Sequence, residues 1–567
     1  MAQERAKVPV VNIKFERLKR LVSSGIKLNK VLDILPFIGI DIEDVNKDVV
    51  RIEYNPNRPD LSSDYGVARA LRGLLDIETG LPKFKLAGRS GLAVRIEDAA
   101  VRKIRPYLIA LVAKNGKLDD ETLRQLIVMQ EDLHNGVGRR RRKASIGIHN
   151  LDVIQFPVTY KTVTGDYSFT PLDESSEFPI AHLLKDLEIG KQYGYILSAF
   201  DRYPLIVDSV GTVLSLPPII NGQATKVHER CRNLFVEVTA TDQETAEDLL
   251  AILATTLYDA GFEIRTVSID AGRNKKNETP HMEPKVISAD VGYVNSILGL
   301  KLDAKQMISC LKKSRLDAKA VNDRKKIVCT IPRYRIDISD PIDISEEVAI
   351  GYGIYNLEPK FPASPTAGKK DSLSVYFNTI RDAMIGLGFI ESLNFILTSK
   401  EVQYSAFGII PPAKDILLVD SSKSTEHEVL RDSLVPLLLQ SLSYNIHEQY
   451  PQKLFEIGKT FLKSTSTTEE RWSVGAVISH TDATYTEIKS TMQALFKSCF
   501  GKEATTKAST NHMFMEGRCA EVNFNGKSVG AIGEIVPLAL ENFKLRTPVA
   551  AFEINLLAII KDKYSTT

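Results

Sequence analysis

The sequence predicts an α+β, multidomain protein, and three observations carry that reading. The chain has 567 residues, too many for one hydrophobic core, which points to about three to four domains. Amphipathic helical patterns and alternating strand patterns are interleaved throughout. Two stretches rich in Pro, Gly and charge, "AGRNKKNETPHMEP" (271–284) and "EPKFPASPTAGKKDS" (358–372), interrupt that periodicity and read as linkers. With a further break near Gly88, the expected domains are 1–88, 89–272, 285–358 and 372–567.

Composition narrows the class. Hydrophobic residues make up 43% and charged residues 25%, a globular balance. No apolar run approaches the roughly 18 residues of a membrane span, and the first residues lack the marks of a signal or transit peptide. A cytoplasmic protein with no membrane partner is expected. Five cysteines occur without a CxxC pair and nine histidines without an HExxH motif, which excludes the usual zinc spacings and suits a reducing compartment. Net charge is only +2, so a nucleic-acid partner would need local basic patches. One such run, Arg139 to Lys143 in "GRRRRKASIGIHN", lies between a helical pattern and a strand. It is either a solvated loop or a set of phosphate contacts.

The block 285–358 repeats the first one. "IKLNKVLDILPFIGIDIEDVNKDVVRIEYNPNRPDLSSDYGVARALRG" parallels "LKLDAKQMISCLKKSRLDAKAVNDRKKIVCTIPRYRIDISDPIDISEEVAIGYG". Each copy is expected to start with a capped helix, pass through two short strands, and reach a Pro-Arg-Asp segment before another helix. These are small helix–hairpin–helix units, winged-helix-like in outline. In the second copy Asp303 and Gln306 form a capping-box pattern. Ala304, Met307, Ile308 and Leu311 follow at helical spacing on one apolar face.

The second copy ends in "RYRIDISDPIDISEEVAIGYG", where Asp337, Asp340, Asp343, Glu346 and Glu347 crowd together. Asp340-Pro341 is a helix start, with Asp as N-cap and Pro at the first helical position. Asp343, Glu346 and Glu347 then share a face, with Asp337 just ahead of it. Acids favour a helix N-terminus, each by about 0.3–1 kcal/mol, and that alone could place them. The other reading is a Mg²⁺ site, since this cation takes carboxylate oxygens and water. Aligning Val67-Ala68 with Val348-Ala349 sets Tyr65 and Gly66 opposite Glu346 and Glu347, with Asp60 in the place of Asp337. On that alignment the fold does not need the later acids, which favours the metal reading.

These segments, with "LRDSLVPLLLQSLSYNIHEQYPQKLFEIGKTF" and "FMEGRCAEVNFNGKSVGAIGEIVP", resemble blocks of the phenylalanine–tRNA ligase β-subunit family in its short archaeal/eukaryotic form, in family order across essentially the whole chain. The resemblance implies Mg²⁺ ligands at Asp337, Asp343, Glu346 and Glu347, leaving Asp340 as N-cap, with the ion near the contact with an α subunit. It implies a class II synthetase catalytic-like antiparallel-sheet domain at the C-terminus. That chemistry needs cationic clamps on phosphates. However, "QKLFEIGKTF" has no arginine two residues before Glu456, and no arginine follows the glycines of "GAIGEIVP". The block is therefore expected to be an inactive platform, with ATP used on a separate α subunit of an α₂β₂ assembly that acts on phenylalanine tRNA. No RNA-recognition module follows it, so anticodon contacts are expected elsewhere.

The same resemblance makes 89–272 an editing domain that hydrolyses Tyr-tRNA. A phenylalanine pocket rejects an added hydroxyl by only about 10², so a second, hydrolytic site has a physical purpose. In "LFVEVTATD", Leu234, Val236 and Val238 alternate with Glu237 and Thr239. By itself such a polar stripe also suits a solvated strand face. The resemblance implies an editing pocket of Glu237, Thr239, Ser215, Asn221 and Lys226, with Leu205 as apolar wall. Two other functions fit the same chain: a stand-alone aminoacyl-tRNA hydrolase, and a non-catalytic tRNA-binding scaffold.

Overall fold

Two parts of the chain run through one order of elements: strand, helix, helix, strand, strand, helix. In the first these are Val10–Lys14, Phe15–Val22, Leu28–Ile34, Ile40–Asn46, Val49–Tyr54 and Asp64–Leu74. In the second they are Lys285–Asp290, Val291–Leu298, Ala304–Lys313, Asp317–Val321, Lys326–Ile331 and Pro341–Tyr352. Both sheets are antiparallel with the last strand in the middle. The computed structural model describes residues 9–564 apart from 47, 98–99, 271, 273–275, 362–366, 411–414, 421, 423 and 465–466. The repetition is one of topology, and each copy has a strand and a helix ahead of the segment the letters matched.

The local chemistry explains most of each copy. Asp303 and Gln306 form their reciprocal cap, with Gln306 N–H donating to the Asp303 carboxylate and Asp303 N–H to the Gln306 side chain. Ala304, Met307 and Leu311 are buried, and Ile308 packs beside them. The matching helix of the first copy, Leu28–Ile34, begins at Lys27 without a side-chain cap. The expected cap is missing there because lysine offers no acceptor.

The last helices correct the alignment of the two copies. They are capped at Ser63 and Asp340, and Asp60 and Asp337 precede these caps by the same spacing. Matching the caps sets Gly66 opposite Asp343, and Arg69 and Ala70 opposite Glu346 and Glu347. This is one helical turn from the pairing with Tyr65 and Gly66, because an apolar face recurs each turn and sequence similarity slips along it. The first copy still carries no acid at these positions.

Between the two copies lies a ten-stranded mixed sheet. Its main path runs from Ile220–Asn221 through Val213–Leu216, Tyr203–Val207, Val158–Val163, Arg89–Ile96, Glu263–Asp270, Tyr107–Lys114 and Leu234–Ala240 to Ala144–Asn150. One face buries Leu234, Val236 and Val238 against the helix Gln243–Asp259, most of whose residues are buried. The expected linker 271–284 is partly structured. Residues 271 and 273–275 lie outside the described residues, but Lys276–Thr279 is a strand paired with Glu263–Asp270. Thr279 ties it down by donating to the Ala110 carbonyl at 2.7 Å and accepting from the Ala110 N–H at 3.1 Å. Of the second linker, 358–372, residues 362–366 lie outside the described residues.

The described residues divide into two compact units, 9–361 and 367–564. In the latter, the described residues form a seven-stranded sheet, from Ile390–Glu391 through Gln452–Lys463, Thr468–Ser479, Val549–Asn555, Lys527–Ile535 and Phe514–Phe524 to Thr505–Ala508. All pairings are antiparallel except the first. Helices Ser372–Gly386 and Tyr485–Phe500 cover one face, and Val435–Tyr444 with Pro537–Asn542 the other.

Backbone approach sets the packing of the second copy. A Cβ on Gly351 would lie 2.1 Å from the Cys310 carbonyl oxygen, so helices Ala304–Lys313 and Pro341–Tyr352 touch main chain to main chain. Gly351→Ala is expected to destabilise this unit by about 1–3 kcal/mol, read as a lowered melting temperature. Gly386→Ala, with nothing within 4 Å of the added carbon, is the control that should leave it unchanged.

Candidate functional site

The strand Leu234–Ala240 is buried along its whole length, so Glu237 and Thr239 do not form a solvated face. Glu237 pairs with Gly147 on one side and Ala110 on the other. Its carboxylate needs donors, since a buried charge without them costs several kcal/mol. Ser215 supplies one from the opposite end of the sheet: its Oγ donates to Glu237 Oε1 at 2.9 Å. The sheet therefore curls until its two ends meet across a cavity of about 500 Å³.

Ser215, Asn221, Lys226 and Glu237 all line that cavity. Thr239 does not; it is fully buried behind the wall, where its hydroxyl pairs with Ser145 Oγ at 2.9 Å, and Ser145 is the residue that reaches the cavity. Leu205 also stands back, in a core with Leu183, Val207 and Leu216, of which Leu216 forms the wall. Lys226 pairs with Asp173 at the mouth, where both side chains are exposed.

The helix Asp120–Asn135 forms the opposite wall and was not anticipated as part of the site. Leu123, Leu126, Ile127, Gln130, Glu131 and His134 all line the cavity, and they recur at helical spacing, the signal that could have found them. His134 is buried. Its Nε2 accepts from Ile146 N–H at 2.8 Å, which assigns the ring proton to Nδ1, 3.2 Å from Glu131. Burial pushes the His134 pKa down. Burial alone would raise the Glu131 pKa, but the His134 hydrogen bond and the charge of Arg141 hold it down to about 2.

Arg141 divides the basic run. Arg139, Arg140 and Arg142 are exposed, whereas Arg141 is buried and lines the cavity. Its guanidinium donates to the Ile219 carbonyl and to Glu131, both at 2.7 Å, and lies over the Tyr193 ring. Reaching that position requires left-handed backbone at Arg139, Arg140 and Arg141 (φ 50°, 53° and 63°), unfavourable for L-residues. Arg105, 1% exposed, holds the turn by donating to the carbonyls of Arg141, Arg142 and Thr239. With carbonyls and hydroxyls as partners, burial lowers the Arg105 pKa to about 10.

The acidic helix of the second copy is arranged around another buried arginine. Arg335 grips Asp337 through two hydrogen bonds of 2.9 and 2.7 Å and also reaches Glu347. Burial alone would raise the Asp337 pKa; the Arg335 charge brings it below the usual carboxylate range. Asp343 accepts from the N–H groups of Ser339 and Asp340, both at 2.8 Å, closing the helix start at Asp340. Glu346 is left exposed, and partial burial followed by Glu347, Asp337 and Asp343 raises its pKa. Among the described residues, no three His, Cys, Asp or Glu side chains converge as metal ligands do. By donor type the acids suit a hard cation, since all offer oxygens, but Asp337 and Glu347 are held by Arg335 and Asp343 by the helix cap, which leaves Glu346 as the acid with uncompensated repulsion.

In the C-terminal unit, Glu456 faces Arg431 at 2.6 Å, each side chain 2% exposed. Arg431 also donates to the Lys459 carbonyl, and Asn394 donates to the other Glu456 oxygen, both at 2.8 Å. Both charged groups are consumed internally. Ile390, Leu393 and Phe395 stand 68%, 85% and 79% exposed at the edge of the sheet.

The tRNA synthetase B5 domain model matches residues 287–354, and the phenylalanyl tRNA synthetase beta chain CLM domain model matches residues 357–556. They define the class as a β chain of an aminoacyl-tRNA synthetase. The phenylalanine–tRNA ligase beta subunit of Archaeoglobus fulgidus is 40% identical over 552 residues, 97% of this chain and 98% of the relative. That of Methanocaldococcus jannaschii is 34% identical over 558 residues, 97% and 100%. This chain belongs to the phenylalanine–tRNA ligase β-subunit family. A crystal structure of an N-terminal fragment of the phenylalanyl-tRNA synthetase beta subunit from Pyrococcus horikoshii covers 61% of this chain and 99% of its own length, with 32% identity and a TM-score of 0.58. Among the described residues no helix is long and apolar enough to cross a membrane.

The Glu131–His134–Arg141 cluster predicts a pH dependence. The Glu131 pKa lies below its unfolded value of 4.5, so its stabilisation is present above about 4.5 and is lost as pH falls toward about 2. Glu131→Gln should melt below the wild type near neutrality, and the gap should close as the pH is lowered through that window.

Proposed function

We propose that this chain supplies Tyr-tRNA editing, tRNA contacts and the docking surface for a catalytic α subunit in an α₂β₂ ligase. One observation carries the editing reading: Glu237 and Ser215, each 2% exposed, form a polar floor in a cavity whose walls combine apolar side chains such as Leu123, Ile127, Ile148 and Leu216 with polar ones such as Gln130, Glu131 and Arg141. The cavity suits an amino-acid side chain. A polar floor favours the side chain that brings a hydroxyl to it, because a phenyl ring would leave those buried groups without a partner. The ester and the tRNA then remain at the mouth, beside Asn221 and Lys226, with the exposed Arg139, Arg140 and Arg142 available for phosphates. Water attacks the ester carbonyl, and the products are free tyrosine and uncharged tRNA. Among the described residues no Ser/His/Asp triad lines the cavity, so the water is held by these polar groups or by the tRNA hydroxyls.

The C-terminal unit is read as a class II catalytic-like platform that lacks the reaction. Glu456 is tied to Arg431 and Asn394 and is unavailable to a nucleotide, while the apolar edge at Ile390, Leu393 and Phe395 suits a protein partner. ATP is then consumed on the α subunit. Mg²⁺ would be held by Glu346, Glu347, Asp343 and Asp337, where it would neutralise the remaining acid charge and brace the helix against the partner.

Glu237→Ala in the ligase complex is expected to raise Tyr-tRNA accumulation about tenfold or more while Phe-tRNA synthesis stays near normal; an unchanged editing rate would remove Glu237 from the site. Glu346→Ala combined with Glu347→Ala should abolish the rise in melting temperature on adding Mg²⁺ and weaken assembly with α. An unaltered response would leave the acids as helix-terminus residues only.

A further inference from the structure

An aminoacyl ester carries an α-ammonium beside its ester carbonyl. With the amino-acid side chain in the cavity and the tRNA at the mouth, that cation comes to lie along the wall between them. Taken out of water, it needs a carboxylate or other acceptors around it. Among the described residues, the carboxylates that line the cavity are Glu131, Asp173 and Glu237. Glu237 is buried at the floor and already accepts from Ser215. Asp173 stands on the rim, its side chain 70% exposed, and is paired with Lys226. Glu131, with its side chain 44% exposed, is the one on the helical wall.

The contacts of Glu131 leave one of its oxygens open. His134 Nδ1 and the Arg141 guanidinium both approach Oε1, at 3.2 and 2.7 Å, and among the described residues no hydrogen bond goes to Oε2. Gln130 adds a second acceptor on the same wall. Its Nε2 donates to the Ile146 carbonyl at 2.9 Å. A carbonyl oxygen only accepts, so the amide oxygen of Gln130 is the atom left without a protein partner. The charges around the cavity are also unequal. Glu131, Asp173 and Glu237 outnumber Arg141 and Lys226 by one formal negative charge, and His134, whose pKa burial pushes down, adds no positive charge near neutrality. One further cation balances the lining.

We propose that Glu131 is a specificity-determining residue that takes the α-ammonium of the aminoacyl ester on Oε2, with the Gln130 amide oxygen as second acceptor. The proposal rests on the editing reading and adds to it a contact that does not depend on the ring of the amino acid. It selects for a free amine: an ester whose nitrogen is acylated, or replaced by a hydroxyl, brings no cation to the wall. The cavity would then discharge aminoacyl-tRNA and spare a tRNA that carries a peptidyl chain.

The test uses the ligase complex with tRNA carrying tyrosine or its α-hydroxy analogue, in which a hydroxyl replaces the ammonium, comparing kcat/KM for hydrolysis of the two esters. Glu131→Gln is expected to compress their ratio about tenfold or more, by slowing the tyrosyl ester while the α-hydroxy ester stays near its wild-type rate. Glu131→Asp, which keeps the charge, should recover part of it. Gln130→Leu leaves the contacts of Glu131 with His134 and Arg141 in place. It should shift the ratio in the same direction, and it serves if Glu131→Gln fails to fold. An unchanged ratio in folded variants, or an equal loss on both esters, overturns the proposal, the latter by indicating a structural role. A ratio that responds to Asp173→Asn and not to Glu131→Gln overturns it by moving the ammonium to the rim. A wild-type complex that hydrolyses neither ester overturns the editing reading itself, a result distinct from hydrolysis whose ratio ignores Glu131.

Discussion

A guanidinium taken out of water must be surrounded by acceptors, and among the almost fully buried arginines Arg105, Arg335 and Arg431 impose that constraint where it bears on function. Arg105 meets it with carbonyls and hydroxyls, which fixes the left-handed turn that delivers Arg141 to the cavity. Arg335 meets it with Asp337 and Glu347 and so orders the acidic helix. Arg431 meets it with Glu456, so both charges are spent within the C-terminal unit. In each case the arginine determines which neighbouring groups remain free, and the free ones are the candidates for function.

The two copies of the small module illustrate how one topology was put to different uses. Arg58 holds Asp60 in two hydrogen bonds of 2.9 Å, as Arg335 holds Asp337. Arg58 also stands 3.8 Å from Asp337, so the motif of one copy meets that of the other. Beyond that shared core the copies diverge. The first copy places Gly66, Arg69 and Ala70 where the second has Asp343, Glu346 and Glu347. Arg69 pairs with Asp259 and lies over Tyr334, so this face of the first copy is spent on packing while that of the second is left acidic.

Much of the architecture was legible in the residues. The period-3.6 pattern at Ala304, Met307, Ile308 and Leu311 and the cap at Asp303 are local effects, governed by groups a turn apart, and they appear as read. The alternation in the strand Leu234–Ala240 was also legible, with Leu234, Val236 and Val238 on one face. The failures share a cause. The slipped alignment of the repeats, the strand hidden in a charged linker, and the buried Arg141 within an exposed run each depend on contacts made by residues far apart in the chain.

The sequence by itself determined the α+β class, the repeat and the acidic helix start, because those follow from local spacing and composition, while the pocket residues came from its resemblance to a known family. Only the tertiary structure decided that Glu237 meets Ser215 across a curled sheet. The same folding backs Thr239 and Leu205 behind the wall and brings the helix Asp120–Asn135 into the site. These depend on where strands end up in space. Burying a carboxylate forces the chain to bring a donor to it, and the sequence does not reveal from which distant strand that donor comes.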